Sequence, residues 1–261
     1  MTSQIILDER AIDRDLVLAN AARAASGLDA IGVQEGDAVA LLLRNDFAFI
    51  EATQACALLG AYCVPINWHG SPDDVSYILD DVKATILVAH ADLIAPLRGA
   101  LPPGLIVLIV PTPDEVEVEL GKTGELMPSD TVWPNWLSNY TPWTGEPKRS
   151  RATLIYTSGT TGRPKGVKRQ PSTPDQMSAY AELMRTVYGV TRGCRVLIGG
   201  PLYHASPNAC LRQAIAQAEI MLVQTKFDAE RTLAAIERHR ITHAVMVPTM
   251  FIRLVKLSEQ I

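Results

Sequence analysis

Residues 153–167 read Thr-Leu-Ile-Tyr-Thr-Ser-Gly-Thr-Thr-Gly-Arg-Pro-Lys-Gly-Val. An apolar run typical of a β-strand leads into three glycines, four hydroxyl side chains and one lysine. Glycine lets the backbone approach a ligand closely, and successive N–H groups in such a loop form a concavity that binds anions. The candidate phosphate-binding residues are Thr157, Ser158, Gly159, Thr160, Thr161, Gly162 and Lys165. The stretch predicts a loop that holds a polyphosphate, with a plain surface turn as the alternative.

This loop differs from the Walker phosphate loop, whose pattern is G-x-x-x-x-G-K-[ST]. Counting from Gly159, the sixth residue is Pro164, and Lys165 is followed by glycine instead of serine or threonine. A Walker loop also opens a helix whose N-terminus holds the phosphates. Here Val167 could begin another strand, so the sequence favours a loop between two strands. A degenerate Walker loop is the competing interpretation.

Composition excludes several classes of protein. The chain has 261 residues, of which 48% are hydrophobic, enough for one large domain or two modest ones. Its formal net charge is -4, without a basic patch that would indicate nucleic-acid binding. The apolar runs are too short to span a bilayer, so we expect no transmembrane segment. The first ten residues lack the pattern of a secretion signal.

The four cysteines show no C-x-x-C spacing. We expect reduced thiols in a cytoplasmic protein, in preference to disulfides or metal ligands, and we expect no protein metal site.

Strand-like and helical segments alternate along the chain, which predicts an α/β fold with a mostly parallel sheet covered by helices. Helices are predicted at 13–28, 47–59, 72–81, 92–98, 175–188, 207–217, 228–239 and from 249. Strands are predicted at 39–43, 63–66, 85–89, 105–110, up to 156, and at 195–198, 219–224 and 243–247. The predicted organisation has three parts: a first α/β part at 1–110, a proline-rich connecting segment at 111–150, and a second α/β part at 151–261.

A second motif, Pro201-Leu202-Tyr203-His204-Ala205, follows a predicted strand and precedes a predicted helix. Ligands of open α/β sheets collect beyond the carboxyl ends of the strands. We therefore expect His204 and the loop with Lys165 to meet in one cleft. An imidazole there could bond a phosphate or carboxylate oxygen near developing charge. A buried structural histidine is the alternative.

The string T-S-G-T-T-G-R-P-K-G at 157–166 resembles the phosphate-loop signature of the adenylate-forming enzymes. These include acyl-CoA synthetases, adenylation domains of peptide synthetases and firefly-type luciferases. Tyr203-His204 resembles a second signature of the family, and Pro-Leu-Tyr-His is similar to its acyl-CoA synthetase branch. Segments at 59–67 and 240–249 are similar to family connecting segments. The resemblance implies the αβα-layered, mostly parallel sheets of the family's large N-terminal domain.

The resemblance also implies an ATP-dependent acyl-CoA synthetase. A carboxylic acid and ATP give an acyl-adenylate and pyrophosphate, usually with Mg²⁺, and the thiol of coenzyme A then displaces AMP. His204 is implied as the catalytic residue, and Tyr203 and Thr249 as substrate-binding residues. The expected acid is fatty or similarly apolar. An amino-acid or aryl-acid adenylation domain and a non-catalytic fragment of the same fold are the alternatives.

Family members are much longer than this chain. Their aromatic-Gly-x-Thr-Glu motif, their ribose-binding aspartate and their C-terminal domain with its lysine have no counterpart before Ile261. We therefore expect the N-terminal half of the large domain, without the C-terminal domain and inactive alone. A face meant for the missing half could drive homo-oligomer formation.

Overall fold

The computed structural model describes residues 3–157 and 163–257. The chain divides into two compact units, here called unit 1 (residues 1–16 and 173–261) and unit 2 (residues 17–172). Each unit contains one five-stranded sheet. The division predicted from sequence cuts the chain elsewhere because it followed chain order, whereas the N-terminal strands pair with strands near the other end.

The described strands are β1 (Gln4–Leu7), β2 (Arg10–Asp13), β3 (Ala38–Leu42), β4 (Tyr62–Pro65), β5 (Ile86–His90), β6 (Ile106–Val110), β7 (Thr131–Val132), β8 (Arg195–Ile198), β9 (Ile220–Val223) and β10 (His243–Val245). The described helices are α1 (Arg14–Ala30), α2 (Phe47–Leu59), α3 (Pro72–Val82), α4 (Ala91–Ile94), α5 (Asp114–Leu120), α6 (Trp133–Ser138), α7 (Pro174–Tyr188), α8 (Ala205–Gln217), α9 (Ala229–Arg238) and α10 (Pro248–Leu254). A single 3₁₀ turn, Ala95–Leu97, follows α4.

The sheet of unit 1 has the strand order β10-β8-β9-β1-β2. β1 pairs in parallel with β9, with Ile6 opposite Leu222, and antiparallel with β2. Ile6, Leu197 and Leu222 form a buried cluster on this sheet. The sequence did not predict β1 or β2, because strands of four residues carry little periodicity and the parallel partner of β1 lies near the other end of the chain.

The sheet of unit 2 is parallel throughout, in the order β4-β3-β5-β6-β7. All five residues of β3 and of β5 are buried, as expected of strands covered on both faces. The predicted α/β fold with mostly parallel sheets is therefore confirmed.

Two helices of unit 2 begin and end where their capping residues dictate. The Asp46 side chain accepts from the Phe47 N–H at the start of α2, and Gly60 ends that helix at φ 65°. Ser71 forms a capping box with Asp74 at the start of α3. One face of α3 is buried in the core, so this helix is fixed to the sheet; its buried residues are Val75, Ile78, Leu79 and Val82.

The segment 111–150 contains more regular structure than the sequence predicted. An acidic run in this segment forms α5, and β7 and α6 follow it. The Trp133 side chain of α6 is 2% exposed and donates from Nε1 to the Glu51 carboxylate at 2.8 Å. A tryptophan anchored in this way ties the connecting segment to α2.

The strand predicted to run to Tyr156 is wrong. Residues 151–156 form no strand, although the Leu154 N–H donates to the Cys63 carbonyl at 2.9 Å along the edge of β4. No strand begins at Val167 either, and α7 is the next regular element. The four cysteines are buried free thiols, as predicted.

Within the part of the chain that the structure describes, none of the helices has the length and apolar character needed to cross a membrane.

Candidate functional site

The predicted loop is closed by a backbone bridge at its two ends. The Thr157 N–H donates to the Lys165 carbonyl at 3.2 Å, and the Lys165 N–H donates to the Thr157 carbonyl at 3.0 Å. The chain therefore doubles back on itself as a hairpin, and the next helix, α7, begins only at Pro174. This geometry contradicts the Walker alternative, which requires the loop to open directly into a helix.

The side chains of Thr157 and Lys165 are both exposed. Because the bridge uses backbone atoms, the ammonium group of Lys165 is not needed to close the hairpin. The other five predicted phosphate-binding residues lie outside the described residues, so their role stays a prediction: Ser158, Gly159, Thr160, Thr161 and Gly162.

Helix α3 contacts the base of this hairpin, called the stem here and comprising residues 154–157 and 163–169. The Tyr156 hydroxyl donates to the Asp81 carboxylate at the end of α3. Burial, followed by the hydrogen bond to Asp81, raises the pKa of Tyr156, so its hydroxyl keeps its proton at neutral pH. On the other arm, the Arg163 guanidinium lies 4.9 Å from the centre of the Tyr77 ring, within cation–π range.

The arm of the hairpin that follows the loop is also held at Lys168 and Arg169. The Lys168 Nζ lies 3.2 Å from the Val82 carbonyl oxygen, which belongs to the last turn of α3. A lysine at this position satisfies a helix-terminal carbonyl. The Tyr62 hydroxyl, on β4, donates to the Arg169 carbonyl at 2.6 Å.

A cavity of about 250 Å³ lies between the stem and the start of α3. Its walls include Tyr156 and Pro164 from the stem and Ile66 and Asn67 from just beyond β4. The stem therefore sits past the carboxyl end of β4, the edge of a parallel sheet where ligands collect.

His204 lies in unit 1, directly before α8, where it is the N-cap residue. Its side chain is exposed, so the alternative of a buried structural histidine is wrong. The adjacent Tyr203 is 8% exposed, its ring centre is 4.3 Å from that of His204, and burial raises its pKa. A buried ring beside an exposed one orients the imidazole outward at a helix N-terminus, where backbone N–H groups favour anions.

Thr249 lies near the same edge of the same sheet. β8 and β10 are parallel neighbours, so the segments after them, with His204 and Thr249, leave the sheet on one side. The Thr249 side chain is exposed. A Cβ added to Gly200 would lie 4.0 Å from the Met250 Cε, so the β8 and β10 loops approach each other here.

Thr157 and Lys165 belong to unit 2, whereas Tyr203, His204 and Thr249 belong to unit 1. The structure thus gathers the predicted residues into two groups, one in each unit. That the two groups face one shared cleft stays a prediction.

Sequence reasoning missed a buried polar cluster beyond β3 and β5. Arg44 binds the Asp92 carboxylate at 2.6 Å, and both side chains are almost fully buried. The His90 Nδ1 accepts from the Arg44 N–H at 3.1 Å, which places the ring proton on Nε2, 3.2 Å from Asp46. Charged residues directly after apolar strands were the signal that could have revealed it. Because these side chains pair with one another, the cluster supports the sheet edge.

Residues 14–261 match the model of a family described as "AMP-binding enzyme". The chain belongs to the AMP-binding enzyme family. The match covers nearly the whole chain, and it includes both the hairpin with Lys165 and the His204 segment. It agrees with the resemblance that these motifs showed on their own.

Two similar members of the AMP-binding family are CoA ligases. The chain is 30% identical over 234 residues to 2-succinylbenzoate--CoA ligase of Bacillus licheniformis, covering 90% of this chain and 44% of that protein. It is 31% identical over 235 residues to feruloyl-CoA synthase of an Amycolatopsis species, covering 88% of this chain and 42% of that protein. The chain thus spans less than half the length of either relative.

The fold of this AMP-binding family member also matches solved structures. A crystal structure described as a long-chain-fatty-acid CoA ligase from Rhodopseudomonas palustris superposes with a TM-score of 0.78 at 22% identity. That match covers 97% of this chain and 61% of the other. At this level of identity the comparison establishes the shared fold.

Proposed function

We propose that this chain forms the ATP-binding N-terminal part of an ATP-dependent carboxylic acid–CoA ligase. The observation that carries the proposal is the closed hairpin at Thr157 and Lys165, in a chain whose family is AMP-binding. The sequence between the two bridged residues is rich in glycines and hydroxyl side chains, and the side chain of Lys165 is exposed. This set of donors matches the oxygens of a triphosphate.

In this proposal the loop holds the β- and γ-phosphates, with Lys165 as the charge partner. Adenylation joins a carboxylate oxygen to the α-phosphorus and releases pyrophosphate. Both reactants carry negative charge, so the protein must bring them into line and neutralise that charge. Binding of the β- and γ-phosphates in a fixed position would keep the α-phosphorus in place while its bond to the leaving pyrophosphate breaks.

We assign the catalytic role to His204, whose exposed ring lies at the N-terminus of α8. There the imidazole and the helix N–H groups can stabilise charge on the carboxylate or α-phosphate. Tyr203 and Thr249 are proposed to contact the acid, because they follow the carboxyl ends of neighbouring strands.

Mg²⁺ and coenzyme A complete the proposed reaction. Among residues 3–157 and 163–257, no group of three or more His, Cys, Asp or Glu side chains could hold a metal ion. Mg²⁺ commonly keeps several waters and binds largely through substrate phosphates. We therefore propose that it arrives with ATP, and that coenzyme A acts as the second substrate.

The acid is proposed to be apolar, and either fatty or aromatic. The names of the two similar ligases, for 2-succinylbenzoate and ferulate, favour an aryl acid, whereas the solved neighbour is described as a fatty-acid ligase. An adenylation domain for amino acids is the third candidate. A panel of decanoate, ferulate, 2-succinylbenzoate and free amino acids in an ATP–pyrophosphate exchange assay separates the three.

The exchange assay is run on the 261-residue chain and on a longer protein that carries it. We expect exchange only from the longer protein, because the similar ligases are more than twice as long as the aligned segment. Exchange by the 261-residue chain would contradict the assignment of an incomplete catalytic unit. Absence of exchange by the longer protein with every acid would favour a non-catalytic member of the fold.

We also propose a cytoplasmic location, where ATP and coenzyme A are available, and self-association of the chain. Phe251 and Ile252 on α10 are each 51% exposed, and Val255 is 81% exposed. Such a face favours contact with another protein surface. Light scattering across a concentration series tests self-association, which should raise the apparent mass of the protein as its concentration increases.

A further inference from the structure

Leu154 anchors the start of the hairpin stem in the core of unit 2, together with the buried face of α3. Nearer the loop, a cavity of about 250 Å³ lies beside Tyr156 and Pro164, and the stem contacts α3 through individual side chains. A glycine-rich loop has little conformational preference of its own. The contacts of the stem residues on either side of the loop therefore set where its two ends are placed.

Two of these contacts lie immediately beside the loop. Tyr156 precedes Thr157 and donates its hydroxyl proton to Asp81. Arg163, the first described residue after the loop, stacks its guanidinium on the Tyr77 ring at 4.9 Å. Both partners are on α3, four residues apart, and therefore on the same face of that helix. The two arms of the hairpin are thus held by one helix face.

Helix α3 is a suitable support because it is itself immobilised. Its opposite face is buried against the sheet of unit 2, and a capping box fixes its first turn. Its last turn receives Lys168 at the Val82 carbonyl oxygen. A displacement of the stem would have to break these contacts, since α3 cannot follow it.

We propose that Tyr156, Asp81 and Arg163 are positioning residues that hold the phosphate loop in its nucleotide-binding orientation through helix α3. The proposal rests on the proposed ATP-binding function of the loop. These residues act through the loop and are not assigned contact with the reacting atoms. Burial and Asp81 raise the pKa of Tyr156, so the hydroxyl is a constant donor at neutral pH.

The test compares Tyr156→Phe and Asp81→Ala, which each remove the hydrogen bond, with Asp81→Asn, whose side-chain oxygen can still accept it. Tyr77→Phe is the matched control, because it deletes a tyrosine hydroxyl on α3 and keeps the ring beneath Arg163. Arg163→Lys keeps the charge and loses the planar stacking. Tyr77 and Tyr156 are only partly buried and Asp81 and Arg163 are exposed, so these variants are expected to fold, which thermal unfolding checks.

The first readout is hydrogen–deuterium exchange of the peptide covering 151–169, without nucleotide. Loss of one hydrogen bond predicts about 3- to 10-fold faster exchange at the amides of Thr157 and Lys165 in Tyr156→Phe and Asp81→Ala. Asp81→Asn and Tyr77→Phe should match the wild type. The double variant Tyr156→Phe/Asp81→Ala should be no faster than either single variant. Unchanged exchange in both single variants would overturn the proposal.

The second readout is the dissociation constant for MgATP, measured on the longer protein that carries this chain. We expect about 3- to 10-fold weaker binding in Tyr156→Phe, Asp81→Ala and Arg163→Lys, with the affinity restored in Asp81→Asn. Faster exchange with unchanged affinity would overturn the positioning role. If the longer wild-type protein does not bind MgATP while the exchange differences remain, the proposed function is refuted and the attachment of the hairpin to α3 stands.

Discussion

Thr157 and Lys165 face each other across an antiparallel bridge, with N···O distances of 3.2 and 3.0 Å. Only backbone atoms take part, and both side chains are exposed. The lysine side chain is therefore available to a ligand, while its backbone closes the loop that is proposed to surround the ligand. Shape and charge of the site can thus be changed separately by mutation.

Replacement of Lys165 by methionine should weaken MgATP binding about 10- to 150-fold, because a charge-assisted contact contributes about 1.5–3 kcal/mol and about 1.4 kcal/mol corresponds to one factor of ten. The free energy of unfolding should not change, since the side chain is exposed. Calorimetric titration and urea unfolding measure the two quantities. Lys122→Met, an equally exposed lysine of unit 2, is the control for net charge. Equal loss of affinity in both variants would show a general charge effect.

The Glu51 carboxyl group should make stability depend on pH. Burial raises its pKa, opposed by hydrogen bonds from Trp133 and Asn20 and reinforced by nearby Asp46. The folded state therefore binds this proton more tightly than the unfolded state, whose pKa is about 4.3. The free energy of unfolding contributed by Glu51 should fall as pH rises from that value through the raised folded pKa.

Glu51→Gln cannot titrate, so the difference in stability between wild type and this variant isolates the effect. Urea unfolding between about pH 4 and about pH 7 should show wild type losing stability relative to Glu51→Gln as pH rises. A difference that does not vary with pH would contradict the prediction. Glu51→Ala should cost about 1–3 kcal/mol at any pH, because the buried Trp133 Nε1 loses its acceptor.

Asp92 should be far more important to stability than an exposed acid. Asp92→Ala leaves the Arg44 guanidinium charged and buried, which costs about 3–5 kcal/mol. Thr112, which donates to Asp92 at 3.1 Å, also loses its acceptor. Glu182→Ala breaks the exposed pair with Arg185 and should produce no measurable change. Urea unfolding of both variants tests the contrast, and a similar loss in each would show that burial is not the cause.

The sequence predicted those features of the fold that depend on the backbone preferences of the residues at the same positions. The helix predicted over residues 47–59, ending at Gly60, has the same limits in the structure. Pro164 and Gly166 correctly indicated that the loop does not open directly into a helix, but the two strands predicted to flank it do not form, and a single antiparallel bridge joins Thr157 and Lys165. Pro164 and Gly166 affect the backbone at their own positions, so no distant contact was needed to interpret them.

Features that depend on distant partners were not predicted. β1 forms because Ile6 pairs with Leu222, a contact that no local pattern reveals. The attachment of Tyr156 to Asp81 joins residues from separate segments, and neither residue is unusual in the sequence. The Arg44–Asp92 pair was missed although a charged residue closely follows each of the two apolar strands, because the sequence alone did not show that these two strands are neighbours. The sequence identified the candidate site residues, whereas the structure was needed to find the distant residues that contact and position them.

The most direct test of the central claim is photolabelling with an ATP analogue that carries its photoreactive group on the γ-phosphate. The chain is irradiated with the analogue, digested and mapped by mass spectrometry, with and without excess MgATP. We predict labelling within residues 157–165 that MgATP suppresses. Labelling confined to peptides outside 151–169, or labelling at the loop that MgATP does not reduce, would contradict the assignment of this hairpin as the triphosphate site.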